Sequence, residues 1–384
     1  MAKILFEVTE NQLETGMRGF PVGYCVTSRV DPEKGLFYKE HSIKELALLP
    51  PEQVIYLLME GKLDDVNYNA FCEKLKNRSK LDSKVKDYIY ELPVQSHPMK
   101  LLISSLTILG AFSGKDNYQE DCIDVIAKIP EVVAIIINHH ANWGKTPESK
   151  PELGYMENFT HMLNIPGSPN KDLLAKVFKI FNNLHFDHGG GNLSVFVGKA
   201  VASGLEDMYG SLAAAMCALA GPRHGKANQD CLQFVQDVLA KVGQNATGDD
   251  IENLIRDRVV NNELIFGFGH AVLRKEDPRA TIFYEMGQKH FSHHPLIKIA
   301  LLLRERGVKV LSEIEKIQNP YPNVDAISGS ILSAAGFDFP EYFTVLFGLS
   351  RIVGIARQIV YERCEARGGK GTPIIRPKYL FKNG

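Results

Sequence analysis

No two cysteines stand close together in this sequence: Cys25, Cys72, Cys122, Cys217, Cys231 and Cys364 are scattered, several of them on apolar helical faces. That spacing argues against a zinc knuckle or a disulfide scaffold and reads as buried, reduced thiols. An excess of one charge sign is also missing. Forty-four basic against 45 acidic side chains leave a net charge of -1, so there is no general electrostatic reason to expect nucleic acid or an anionic membrane as partner. The apolar runs at 101–112 and 212–219 fall short of the roughly 20 residues a spanning helix needs. Residues 1–8 carry neither a signal-peptide pattern nor an Arg/Ser-rich transit pattern, and the expectation drawn from this is a cytoplasmic protein. Internal repeats and low-complexity tracts are absent from the sequence. At 384 residues the chain is too long for one small core, and two domains are expected.

Strand signal is scarce and confined to the beginning. Residues 3–9, 24–28 and 36–38 alternate, with Asp31-Pro-Glu-Lys-Gly35 as a turn. From Ser42 onward the pattern is helical, opening with the capping box Ser42-Ile-Lys-Glu45. Pro93, Pro98, Gly114 and Pro130 are expected to separate helices at 66–78, 82–92, 98–112, 118–128 and 130–142. A loop with one helical turn is expected over 143–170, then a helix over 171–184. Residues 193–219, rich in Ala, Val, Leu and Met, read as one long buried helix. Helices at 227–242, 249–261, from Asp277-Pro278 onward, 295–306, 307–318, 325–335 and 341–366 complete a mainly α fold with a short N-terminal β region.

What is present and out of place is a set of histidines in glycine turns. His185-Phe-Asp-His188-Gly-Gly-Gly-Asn192 and Gly221-Pro-Arg-His224-Gly-Lys-Ala-Asn228 flank the small-residue segment, and Gly267-Phe-Gly-His270 follows. A core helix needs no histidine at either end, and glycines let a ligand approach the backbone. A helix N-terminus disfavours an imidazolium, so His224 is expected to be neutral and to donate a hydrogen bond. Arg279 falls in the first turn of the Asp277-Pro278 helix, where a cation costs about 0.3–1 kcal/mol and a surface arginine tolerates it. Arg351 interrupts an apolar helix and has no carboxylate within a helical turn, so a substrate carboxylate would serve as its partner. Asn319-Pro-Tyr-Pro-Asn323-Val-Asp325 is a stiff approach to a helix, and Asp325 is either its N-cap or a rigid general base. Phosphate-loop and dinucleotide patterns fail on spacing and context. His185 with His188, and His290 with His293 and His294, lack a third ligand at zinc spacing, so no metal is expected.

Together these five segments, in this order, resemble citrate synthase, and in particular the branch that includes the mitochondrial enzyme. The resemblance covers nearly the whole chain, from Gly16-Met-Arg-Gly to Arg376-Pro. It implies a citrate-synthase-like multi-helical fold: a large helical, dimer-forming domain over 1–224 and 332–384, and a small one over 225–331 that closes on the substrates. It implies an acyltransferase that condenses acetyl-CoA with oxaloacetate, with Asp325 as base, His224 as enolate stabiliser and His270 as ketone polariser. His188, Asn192, His270, Arg279 and Arg351 would bind oxaloacetate, with Arg376 reaching the neighbouring subunit of a homodimer. Leu264, Ile265, Gly267, Phe268, Gly269 and Arg274 would meet CoA, which is a substrate; no cofactor is implied.

Departures from the family pattern are Arg223 where leucine is usual, Lys226, and Asn138 where an arginine often meets CoA. Arg223 and Lys226 would lower the pKa of His224 or add a CoA phosphate contact. The rival readings are a 2-methylcitrate synthase using propionyl-CoA, because one methylene is worth only about 1–3 kcal/mol, and a non-catalytic CoA or carboxylate sensor.

Overall fold

A computed structural model describes residues 4–167 and 169–382. Its one sheet is antiparallel, with strands β1 (Ser28–Asp31), β2 (Gly35–Tyr38) and β3 (His41–Ser42) in that order. Asp31 makes the hairpin turn by accepting the N–H groups of Glu33 and Lys34, each at 2.9 Å, an aspartate turn that the sequence signals. Two strand expectations are corrected. Residues 4–9 are irregular and mostly exposed, and strand structure begins only at Ser28. An alternating stretch with no neighbour to pair with cannot hold a strand.

Sixteen α-helices follow among the described residues. They are α1 (Ile43–Leu46), α2 (Pro51–Glu60), α3 (Tyr68–Arg78), α4 (Ser83–Tyr90), α5 (Pro98–Ser113), α6 (Tyr118–His140), α7 (Tyr155–Met162) and α8 (Lys171–His185). Then come α9 (Leu193–Ser203), α10 (Met208–Leu219), α11 (Ala227–Val242), α12 (Gly248–Val260), α13 (Pro278–His290), α14 (Pro295–Ser312), α15 (Asp325–Ala334) and α16 (Phe343–Val360). The expected mainly α class is what the chain adopts.

Helix α16 is buried along its whole length and packs on α6, α8, α9 and α10, which makes it the axis of the core. The stretch Pro340–Glu365 is in fact long and apolar enough to cross a membrane, contrary to the reading of the apolar runs, but 94% of its apolar window is buried inside the protein. Helices α11 to α15 pack largely on one another and meet the rest through α15 on α8, α11 on α16 and α13 on α1.

Three boundaries differ from expectation. Pro130 does not end a helix but sits inside α6. Proline lacks the N–H that would bond the carbonyl four residues back, and here the Tyr155 hydroxyl donates to that Ile126 oxygen instead, at 2.7 Å. The expected helix over 193–219 is two: Leu205 has φ 71°, and the Asp207 carboxylate caps α10 by accepting the Gly210 N–H at 2.7 Å. Conversely, Gly307 interrupts nothing, and 295–312 is a single helix.

Candidate active site

The site is assembled on the end of α8. His185 closes that helix, its Nδ1 bonded to the Phe181 carbonyl at 2.7 Å and its ring stacked on Phe181 at the edge of the cavity. The chain then turns through 186–191 into α9, presenting His188 and Asn192. The Asn192 amide donates to the His188 carbonyl at 2.7 Å, while His188 Nε2 is buried without a hydrogen-bond partner. Arg351 arrives from α16. It is buried, donates from Nε to the His185 carbonyl at 3.0 Å and lies over the Phe347 ring at 4.8 Å. Among the described residues no carboxylate makes an ion pair with it.

The opposite wall comes from two segments zipped together. Gly269 N–H donates to Tyr321 O at 2.9 Å, Asn323 N–H to Gly267 O at 2.8 Å, and the Asn323 amide to Gly269 O at 2.9 Å. The Asn323 side chain also accepts the Asp325 N–H at 3.0 Å, so one asparagine fixes both the His270 turn and the start of α15. Asp325 is therefore the first residue of α15 and not its cap, which is Val324. Arg279, whose place in a first turn a surface arginine would also tolerate, is buried, its guanidinium paired with Asp277 at 2.7 Å. Burial opposes the charge of Asp277, but Arg279 outweighs it and keeps the carboxyl below its usual pKa.

Between these walls lies a cavity of about 160 Å³ lined by His188, Asn192, His224, Asn228, His270, Arg279, Asp325, Phe347 and Arg351. Burial lowers the pKa of His224 to about 4, with Arg351 as a further cause. Burial and then Arg279 lower those of His188 and His270. All three are neutral near pH 7. The neutrality expected of His224 holds, but burial causes it; Arg223 is exposed, Lys226 pairs with Asp230 at 2.9 Å, and neither contributes. The backbone also fixes tautomers. Ser194 N–H can only donate, and it faces His224 Nε2 at 3.3 Å with Ser194 Oγ at 2.9 Å, leaving the proton on Nδ1. His270 Nδ1 accepts from the Val272 and Leu273 N–H groups at 3.0 Å each, leaving the proton on Nε2. Burial raises the pKa of Asp325 to about 6. The cavity thus holds a strengthened base, two oriented neutral donors and a buried arginine without an ion-pair partner.

A second, more open cavity of about 660 Å³ is lined by Leu264, Ile265, Phe268, Gly269 and Arg274, and shares His270 with the first. Gly267, expected to meet CoA, does not line it; a Cβ there would fall 2.7 Å from Ala326 Cα, so this glycine permits the turn to touch α15. Arg376 is exposed and outside both cavities of this chain. Asn138 is fully buried, its amide bonded to Thr146, Met162 and the Asn164 N–H, so it is a core residue and no ligand contact. Sequence reasoning gave no role to Ser194, which only its contacts with His224 identify, or to Asn228, which closes the His224 motif and lines the cavity with its Oδ1 buried and without a hydrogen-bond partner. Among the described residues no group of three or more metal-ligating side chains converges.

The family model for citrate synthase, C-terminal domain, matches residues 16–378. The mitochondrial citrate synthase of Daucus carota is 35% identical over 97% of this chain and 83% of its own length. The crystal structure of citrate synthase from Pyrobaculum aerophilum superposes with a TM-score of 0.83 at 27% identity, covering 96% of this chain and 92% of that one. The ternary complex of carboxymethyl coenzyme A and oxaloacetate with citrate synthase from Thermoplasma acidophilum, at 23% identity and a TM-score of 0.80 over 96% of each chain, shares the fold. The cytoplasmic expectation is corrected by the curated relatives. Those from Daucus carota, Citrus maxima and Arabidopsis thaliana are mitochondrial enzymes and point to that compartment instead.

Proposed function

We propose, from the premise that this chain belongs to the citrate synthase family, that it condenses acetyl-CoA with oxaloacetate and water to citrate and CoA through an enolate. Asp325 takes a methyl proton from acetyl-CoA. His224, neutral and protonated on Nδ1, donates a hydrogen bond to the thioester oxygen as charge develops there. A carboxylate is too weak a base for this proton unless the product charge is stabilised as it forms. His270, protonated on Nε2, polarises the oxaloacetate ketone and hands its proton to the new alkoxide. Arg279, Arg351, His188 and Asn192 hold the two carboxylates. Hydrolysis of the citryl thioester then drives the reaction forward.

The observation that carries this reading is the shared lining of one cavity by Asp325, His224 and His270 around the Arg351 guanidinium. The adjoining cavity, joined through His270, suits CoA, with Arg274 toward its phosphates. The segment 225–331 contributes Asp325, His270 and Arg279 while His188, His224 and Arg351 belong to the rest, so we infer that its closure completes the site and excludes water. A homodimer fits two features: Arg376 is exposed and lines neither cavity of its own chain, and helices α5, α9 and α10 carry few charged residues.

The test is release of free CoA thiol from purified protein supplied with oxaloacetate and an acyl-CoA. Release that requires oxaloacetate and favours acetyl-CoA is expected. A propionyl-CoA preference would transfer the assignment to 2-methylcitrate synthesis, and absence of release from folded protein would overturn the enzyme.

A further inference from the structure

Asp187 is fully buried, makes no ion pair among the described residues, and plays no part in the chemistry above. Its carboxylate accepts only from neutral groups: the Thr27 hydroxyl, the Ser28 hydroxyl at 2.7 Å and the Gln358 amide at 2.9 Å. A carboxylate so far from water, without a cation in contact, is costly and asks for a reason.

The same two partners grip the next turn of chain. Ser28 Oγ accepts the Gly189 N–H at 2.7 Å, and Gln358 donates to the Gly189 carbonyl at 3.2 Å. Residues 351, 354 and 358 lie on one stripe of α16 and read the loop in order. Arg351 takes the His185 carbonyl, Gly354 N–H the Phe186 carbonyl at 3.1 Å, and Gln358 the Asp187 carboxylate. Position 354 must be glycine for this, since a Cβ there would meet Asp187 Oδ1 at 2.6 Å.

Burial disfavours the charge of Arg351, and among the groups that sustain it Asp187 stands first, ahead of Tyr38 and Asp325. A carboxylate in direct contact with Arg351 would compete with a substrate. One placed behind the loop supports the charge without occupying the guanidinium.

We propose that Asp187 is a positioning residue for recognition of the dicarboxylate substrate: it locks the His188 loop in register with α16 and supplies, from behind, the charge that keeps Arg351 ready for a substrate carboxylate. This rests on the oxaloacetate reading of the cavity.

The experiment compares the wild type with Asp187→Asn and Ser28→Ala, using calorimetric binding of oxaloacetate and steady-state kinetics. Asp187→Asn is expected to raise the oxaloacetate Kd and KM by roughly ten- to a hundredfold, the range for weakening a contact to a charged group, with much smaller changes in kcat and acetyl-CoA KM. Ser28→Ala, which keeps the charge, should raise them far less. Oxaloacetate binding by Asp187→Asn within about twofold of wild type would overturn the proposal, as would equal losses in kcat and both KM values alongside a lower Tm. Should Asp187→Asn not fold, Gln358→Leu carries the test, with a selective rise in oxaloacetate KM expected and an unchanged one fatal. Wild-type protein that binds no oxaloacetate would instead sink the functional reading itself.

Discussion

Burial lifts the pKa of Asp325 to about 6, which makes it a better base than a solvated carboxylate while leaving it ionised at neutral pH. The sign of the pH dependence follows. The working form is the carboxylate, so kcat/KM for acetyl-CoA should be flat above about pH 7 and fall about tenfold per unit below about pH 6. The three cavity histidines, whose pKa values burial lowers, should add no further loss at pH 7 and above. Replacing Asp325 by Asn should cost on the order of 10²–10⁴ in rate and remove that acidic limb. A pH–rate profile of both proteins checks this; an acidic limb that survives in the variant would assign it to another group. These residues were legible in the sequence because each breaks a local rule: histidines in glycine turns, and an arginine inside an apolar helix. Their partners were not. Ser194 meets His224 across 30 residues, and Ser28 meets Asp187 across 159, distances at which no periodicity speaks. The burial of Arg279 was not legible for the same reason, since its place on a first turn says nothing of what covers it.

Helix boundaries failed where a donor from elsewhere overrode a local stop signal. Pro130 should have ended α6, yet the helix runs on because the Tyr155 hydroxyl supplies the hydrogen bond that proline cannot. Tyr155 is buried, so Tyr155→Phe leaves the Ile126 carbonyl buried and unsatisfied. The expected cost is about 1–3 kcal/mol, the usual penalty for such an orphan. In a Pro130→Ala background the backbone N–H returns, and the same Tyr155→Phe change should cost distinctly less. A double-mutant cycle read by denaturant unfolding checks this; equal costs in both backgrounds would mean that Tyr155 acts by packing alone. The opposite error, at 204–207, was avoidable. Gly204 and the capping Asp207 are ordinary stop and start signals, outweighed in the reading by the apolar composition on either side.

At the scale of the whole molecule, one protomer leaves Arg376 unused. The tail is moored to α9 where Ile375 N–H donates to the Ser203 hydroxyl at 3.0 Å, and Arg376 beyond it is exposed. That mooring is at the edge of an uncharged surface. Helix α10 carries no charged residue, α5 none after Lys100, and the one cation of α9, Lys199, is buried against Glu362 at 2.8 Å. Phe112 on α5 and Cys217 on α10 are exposed. Two copies joined there, as the proposed homodimer requires, would each lend an arginine to the other's oxaloacetate. The consequence is an asymmetry that mixing can detect. Asp325→Ala removes the base from a subunit's own site, whereas Arg376→Ala removes an arginine from its partner's. Each variant alone should be nearly inactive. In a mixed dimer, one site lacks both residues and the other has both. Equal amounts of the two, unfolded and refolded together, should therefore recover about a quarter of wild-type sites if pairing is random in a twofold-symmetric dimer. If Arg376 served its own subunit, the mixed dimer would contain no intact site and mixing would restore nothing.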